Sequence, residues 1–154
     1  MKFKLCDAKS LDIVKTFECG QCFRWNANDK GVYTGVVGRY LAEVETVDNE
    51  VYITSDAPAE MWADYFDLAT DYAAVSADFT GEYLHECIDY GMGIRILRQD
   101  SWEALCSFII SQCNNITRIK GIVERLCEQF GDKCETNGVG YYTFPSAERL
   151  AALR

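Results

Sequence analysis

The sequence predicts an α+β protein in which an antiparallel β-sheet precedes a set of helices. Three observations carry that expectation. Residues 1–57 are rich in β-branched and aromatic residues that alternate with polar ones. From Pro58 onward the apolar residues recur at helical spacing instead. With 154 residues, of which 49% are hydrophobic, the chain can bury one substantial core or two small ones.

The elements follow in order. Residues 17–25 read as an extended segment with Phe17, Cys19, Gln21, Phe23 and Trp25 on one alternating face, Trp25 belonging to the sheet core. Residues 32–37 and 39–47 are strand-like around Gly35 and Gly38, and Asp48-Asn49 supplies a hairpin turn into residues 51–54. Met61, Trp62, Tyr65, Phe66 and Leu68 then mark a helical stripe, as do Leu84, Ile88 and Tyr90 further on. Residues 91–97 form a short apolar strand or loop.

Asp100 followed by Glu103 fits a capping box and places a helix start there. Leu105, Phe108 and Ile109 fall on one helical face and are expected to meet a core, with the stripe turning polar at Gln112 and Ile116. Ile119, Ile122, Val123, Leu126, Cys127 and Phe130 form a cleaner second stripe, which Gly131 is expected to end in a left-handed conformation. Residues 141–145 are extended, and Ser146 caps a helix carrying Ala147, Leu150 and Ala151. That helix is expected to be cut off at Arg154, about two turns in.

Composition excludes several classes. No apolar run approaches the roughly 20 residues that span a bilayer, and no signal peptide is evident at the N-terminus, so no membrane partner is expected. Eight cysteines include one Cys-x-x-Cys pair, Cys19 and Cys22, with neither a second pair nor more than one histidine, His85, to complete a tetrahedral site. No metal is expected, and reduced cysteines serving as small hydrophobes are. The net charge of −9 argues against a non-specific nucleic-acid coat held by counterion release. It leaves room for a protein that grips DNA through a few local donors. Residues 1–75 carry 7 basic and 13 acidic side chains against 8 and 11 in the remainder, so a DNA-facing surface is expected in the second half.

Between the two helical stripes lie Ser111, Gln112, Cys113, Asn114, Asn115, Thr117 and Arg118, a dense set of donors and acceptors. Spacing alone describes an αα-hairpin whose asparagines end one helix and open the next. A functional reading comes from the combination of segments. Residues 20–25 (Gly-Gln-Cys-Phe-Arg-Trp), 65–68 (Tyr-Phe-Asp-Leu), 97–100 (Leu-Arg-Gln-Asp), 114–119 (Asn-Asn-Ile-Thr-Arg-Ile) and 144–146 (Phe-Pro-Ser) occur in the order found in 8-oxoguanine DNA glycosylases. The chain resembles that family, within the helix-hairpin-helix glycosylases, over essentially its whole length.

The resemblance implies an antiparallel domain similar to one half of a TATA-binding protein over residues 1–75. The beginning of a helical glycosylase domain follows over residues 76–154, ending before the helix-hairpin-helix. It implies base-excision repair on double-stranded DNA containing 8-oxoguanine, with an associated abasic-site lyase, no cofactor, and a cytoplasmic or nucleoid location. It also implies that the catalytic lysine and its assisting aspartate lie in a missing C-terminal half, so that no residue here is catalytic. Gly20 matches the glycine whose carbonyl reads 8-oxoguanine. Cys113, Asn114, Asn115 and Arg118 match residues beside the gap left by the flipped base, Arg118 facing the orphaned cytosine. Cys113 departs from an asparagine common in the family, and with it the strict preference for opposite cytosine. Gln21 and Arg24 are expected to be structural. A non-catalytic damaged-DNA-binding module and an inert structural domain are the alternatives.

Overall fold

The computed structural model describes residues 1–153. Arg154, where the last helix was expected to be cut, lies outside the described residues. The architecture is α+β: β1 (Lys2–Asp7), α1 (Ile13–Glu18), β2 (Trp25–Ala27), β3 (Tyr33–Val37), β4 (Tyr40–Val47) and β5 (Glu50–Ser55) come first. Helices α2 (Ala59–Tyr65), α3 (Tyr72–Ala77), α4 (Glu82–Gly91), α5 (Ser101–Ser111) and α6 (Ile116–Phe130) follow, then the hairpin β6 (Lys133–Thr136) and β7 (Val139–Tyr142), and α7 (Ala147–Ala151). The sheet order is β1-β5-β4-β3-β2.

The chain clusters into two compact units, one of residues 1–21 and 44–98, the other of residues 22–43 and 99–154. In the first, β1 and β5 pair antiparallel with Phe3 opposite Ile53, and a register shift separates Lys4 from Cys6. Asp48 and Asn49 both take positive φ (51° and 61°), the two-residue turn whose twist matches a hairpin. Val51, Ile53 and Ser55 are buried alternately along β5, the period expected of a strand with one covered face. The same unit buries Leu11, Phe17, Trp62, Tyr65 and Phe66. Tyr65 and Phe66 meet edge to face with ring centroids 5.0 Å apart, and Phe17 reaches Phe66 at 6.0 Å.

Residues 17–25 are not the strand that alternation suggested. Asp12 accepts a hydrogen bond from the Lys15 N–H and caps α1, which buries Ile13, Thr16 and Phe17. The chain then bends until Trp25 enters β2. Here an N-cap followed by residues at helical spacing outweighs an apolar period of two. Gly91 ends α4, and residues 92–97 are loop, one of the two forms the sequence left open. In α4, Leu84 and Tyr90 are exposed.

In the second unit the core is Phe23, Ile119, Val123 and Cys127, with Ile110, Tyr142 and Phe144 packed on it. The second stripe behaves as the sequence demands. The first does not: Leu105, Phe108 and Ile109 are 51%, 64% and 61% exposed, and Ser107 is the buried residue of α5. Periodicity shows that a helix has an apolar face, not that a segment of the same unit covers it.

Gly131 also departs from expectation. Its φ is −77°, so no left-handed conformation is involved. A Cβ there would stand 2.0 Å from the Thr143 carbonyl oxygen and 2.7 Å from that of Cys127. Close backbone approach of the α6 end to Thr143, just after β7, is the reason for glycine. The β6-β7 hairpin turns on Asn137 and Gly138, both with positive φ, a hairpin signal that the sequence carried openly. Gly131→Ala is expected to destabilise the protein by about 1–3 kcal/mol through forced backbone movement, measured by urea denaturation.

Candidate nucleic-acid interface

Two segments carry the residues singled out from the sequence, and each unit builds one of them. In the first unit Gly20 follows the end of α1 with φ +88°, a conformation natural to glycine and strained for other residues. Nothing lies within 4 Å of the place where its Cβ would stand. The space on the Cβ side of this backbone is therefore open.

Gln21 fixes that loop. Its Nε2 donates to the carbonyls of Thr16 (3.0 Å) and Arg95 (2.8 Å), while its Oε1 accepts from the Leu97 N–H (3.0 Å). Thr16 Oγ1 in turn accepts from the Arg95 N–H (3.2 Å) and donates to the Gly93 carbonyl (3.3 Å). Arg95, 6% exposed, donates to the carbonyls of Ser10, Asp67 and Thr70 at 2.7–2.9 Å and stacks 4.5 Å from the centroid of the Tyr72 ring. Three carbonyls and an aromatic face thus offset the cost of burying its charge. The neighbouring Arg98 donates Nε and Nη2 to Asp67 Oδ1, and its backbone N–H donates to the Tyr65 carbonyl. These hydrogen bonds from Arg98 hold the Asp67 carboxyl below the usual carboxylate range. Gln21 is structural, as expected, whereas the parts of Thr16 and Arg95 left no trace in spacing or periodicity.

In the second unit the polar tip joins α5 to α6. Asp100 caps α5 by accepting from the N–H groups of Trp102 and Glu103. At the other end Ser111 Oγ and Gln112 Nε2 both donate to the Phe108 carbonyl, and Asn114 Nδ2 donates to that of Ile110 (3.1 Å). These bonds satisfy carbonyls that a helix end leaves without partners. Cys113 turns the chain in the left-handed region, φ +54°. Asn115 is the N-cap of α6, its Oδ1 accepting from the Arg118 N–H at 3.0 Å. Arg118, on the first turn of α6, is exposed, and its guanidinium makes no ion pair among the described residues.

The structure therefore brings Cys113, Asn114, Asn115 and Arg118 together at one helix junction, with Gly20 in the other unit. Trp25 is buried, 1% exposed, and Arg24 is buried with it. Cys19 is exposed and Cys22 buried, and no group of three metal-binding side chains occurs among the described residues. No described helix is long and apolar enough to cross a membrane.

The first unit thus carries an open glycine backbone and the second an Asn-Asn-x-x-Arg helix junction, within an α+β fold that matches those of DNA glycosylases. Residues 4–105 match the family model described as the N-terminal domain of 8-oxoguanine DNA glycosylase, and the chain belongs to that family. It is 28% identical over 153 residues to N-glycosylase/DNA lyase OGG1 of Arabidopsis thaliana, covering 93% of this chain and 42% of that protein. Its fold is similar to that of the Clostridium acetobutylicum 8-oxoguanine glycosylase/lyase in its apo form, with TM-score 0.88 and 35% identity. That match covers all of this chain and 57% of the other. MBOgg1, solved in complex with a low-affinity DNA ligand, is similar at TM-score 0.86 and 40% identity over 97% of this chain and 52% of that one. The chain thus spans about half the length of these relatives.

The Asn115 cap yields a direct test. Asn115→Ala is expected to lower stability by about 0.5–2 kcal/mol and to fray the first turn of α6, whereas Asn115→Ser retains most of the cap. Thermal unfolding, with amide exchange on residues 116–119, distinguishes the two.

Proposed function

We propose that this chain is the lesion-reading portion of an enzyme that excises 8-oxoguanine from duplex DNA and cleaves the backbone at the abasic site produced. The observation that carries this reading is similarity over the whole chain, TM-score 0.87 at 35% identity, to the Clostridium acetobutylicum 8-oxoguanine glycosylase/lyase in complex with double-stranded DNA containing cytosine opposite 8-oxoG.

In this reading the Gly20 carbonyl accepts a hydrogen bond from N7–H of the damaged base. Guanine presents an acceptor at N7, so its approach would leave two acceptors facing each other. A mismatch of this kind costs on the order of 1–3 kcal/mol, roughly tenfold to a hundredfold in selection. The open space beside Gly20 supports this role. So does Gln21, which holds the adjoining backbone by three hydrogen bonds.

Asn114, Asn115 and Cys113 shape the junction that enters the gap left by the flipped base, and Arg118 reads the orphaned cytosine. An exposed guanidinium held at a helix N-terminus presents several donors in a fixed fork. Cys113 lacks the amide of an asparagine, which weakens discrimination at the opposite base.

In this reading the nucleophilic lysine and its assisting aspartate are not among the residues of this chain. The chain alone is inactive and needs no cofactor; its location is cytoplasmic, with the nucleoid if the source is bacterial. The exposed stripe of Leu105, Phe108 and Ile109 supports further helices packing on α5 in the complete enzyme.

In the full-length enzyme, Gly20→Ala should reduce excision of 8-oxoguanine at least tenfold more than cleavage at a preformed abasic site; equal loss on both substrates removes the reading role. Arg118→Ala should flatten the preference among opposite bases in single-turnover assays. An unchanged opposite-base profile would refute that assignment.

A further inference from the structure

Arg24 presents a problem in the core of the second unit. Its side chain is 5% exposed, and Nη2 donates to the Tyr142 carbonyl at 2.5 Å. Nε and Nη1 are buried with no acceptor among the described residues. Guanidinium cannot escape by losing its proton, so two buried charged donors are left without a partner.

Glu103, in the first turn of α5, belongs to the same unit and is partly buried. No ion pair joins it to Arg24 in this arrangement. Burial raises its carboxyl to about 7, against the opposing influence of Arg24, and Asp100 adds to the rise. The other titratable groups that feel this pair are thiols. Cys127 of α6 is pushed up to about 11 by burial; Arg24 opposes the rise, and Glu103, Glu124 and Glu128 reinforce it. Cys106 of α5 is raised by burial and by Asp100 and Glu103. Both thiols therefore stay protonated near neutrality, which leaves Glu103 as the group that changes charge. Glu103 lines an open cleft of about 450 Å³ with Asp100, Trp102 and Pro145, a route for its proton to reach water.

We propose that Arg24 and Glu103 are the two halves of a proton-regulated pair: when Glu103 releases its proton, its carboxylate takes up the unmatched Nε and Nη1 donors of Arg24. The proton leaves through the cleft to solvent, and no other charge moves. Because Arg24 also holds the β7 backbone at Tyr142, the protonation state of Glu103 sets how firmly α5 is tied to that strand.

The sign follows from linkage. The folded protein holds the Glu103 proton more tightly than the unfolded chain, so stability is greatest at acid pH and falls as pH rises through about 7. Pairing with Arg24 recovers part of that loss. The test is the melting temperature of the full-length protein and of its Glu103→Gln variant from pH 5 to 8.5. The expected result is a variant whose advantage over the wild type grows from pH 5 to about 7, between the ordinary carboxylate range and the folded value, and then stays level at several degrees up to pH 8.5. Parallel profiles across the range would overturn the proposal. Where Arg24→Met folds, it should move the wild-type transition to higher pH by removing the cation that favours ionised Glu103. An unmoved transition would overturn the pairing with Arg24; if that variant does not fold, the Nε–H resonance of Arg24 in the wild-type protein decides, since it should shift with the Glu103 transition, and an Nε–H that does not move across the range would overturn the pairing.

Discussion

Arg95 and Gln21 together form the constraint on which the first unit depends. One is a buried cation whose charge is spread over the carbonyls of Ser10, Asp67 and Thr70, and the other is an amide that bonds three further backbone groups. Between them they tie the end of α1 and the loop after β1 to residues 67–70 and 93–97, segments with no sheet of their own. Backbone polar groups in such segments must find partners or lose stability. Long side chains supply those partners here, and the open backbone at Gly20 is held in place as a consequence.

The junction between α5 and α6 follows a different economy. Ser111, Gln112, Asn114 and Asn115 each bond to the backbone at a helix end, so polar groups that look available in the sequence are largely engaged in closing the helices. Engagement does not disqualify them from meeting DNA. A side chain locked against its own backbone presents its remaining donors in one geometry, at little further entropic cost on binding. Arg118 is the member of the set whose charge remains uncommitted. Local placement of this kind would reconcile the proposed nucleic-acid recognition with a chain of net charge −9, since few phosphate contacts are needed when neighbouring donors are already aligned.

Both units meet the cost of buried polarity, by different means. Arg95 is surrounded by fixed carbonyls and stacks on Tyr72. Arg24 has one such carbonyl, and the carboxyl proposed to complete its surroundings is raised by burial to about 7, so that it is only partly ionised near neutrality. A guanidinium with fixed acceptors is a static strut, whereas one that waits on an ionisable acceptor responds to the medium.

The sequence by itself determined the α+β class, the β4-β5 hairpin, the caps at Asp100, Asn115 and Ser146, the α6 core stripe and the family. Each is written in local residue types, such as a two-residue turn, an N-cap or a period of 3.6. Tertiary structure alone decided the rest. Residues 17–25 fitted an alternating strand, yet Asp12 and the burial of Phe17 beside Phe66 make their first part a helix. Gly131 fitted a left-handed cap, yet the backbone at Thr143, just after β7, lies so close that no Cβ is admitted. Leu105, Phe108 and Ile109 fitted a core face and lie exposed. Arg95 gave no signal at all, because its value comes from carbonyls 25 to 85 residues away in the chain. Local chemistry fixes what an element is, while its partners are set by contacts between segments far apart, which no period or motif encodes.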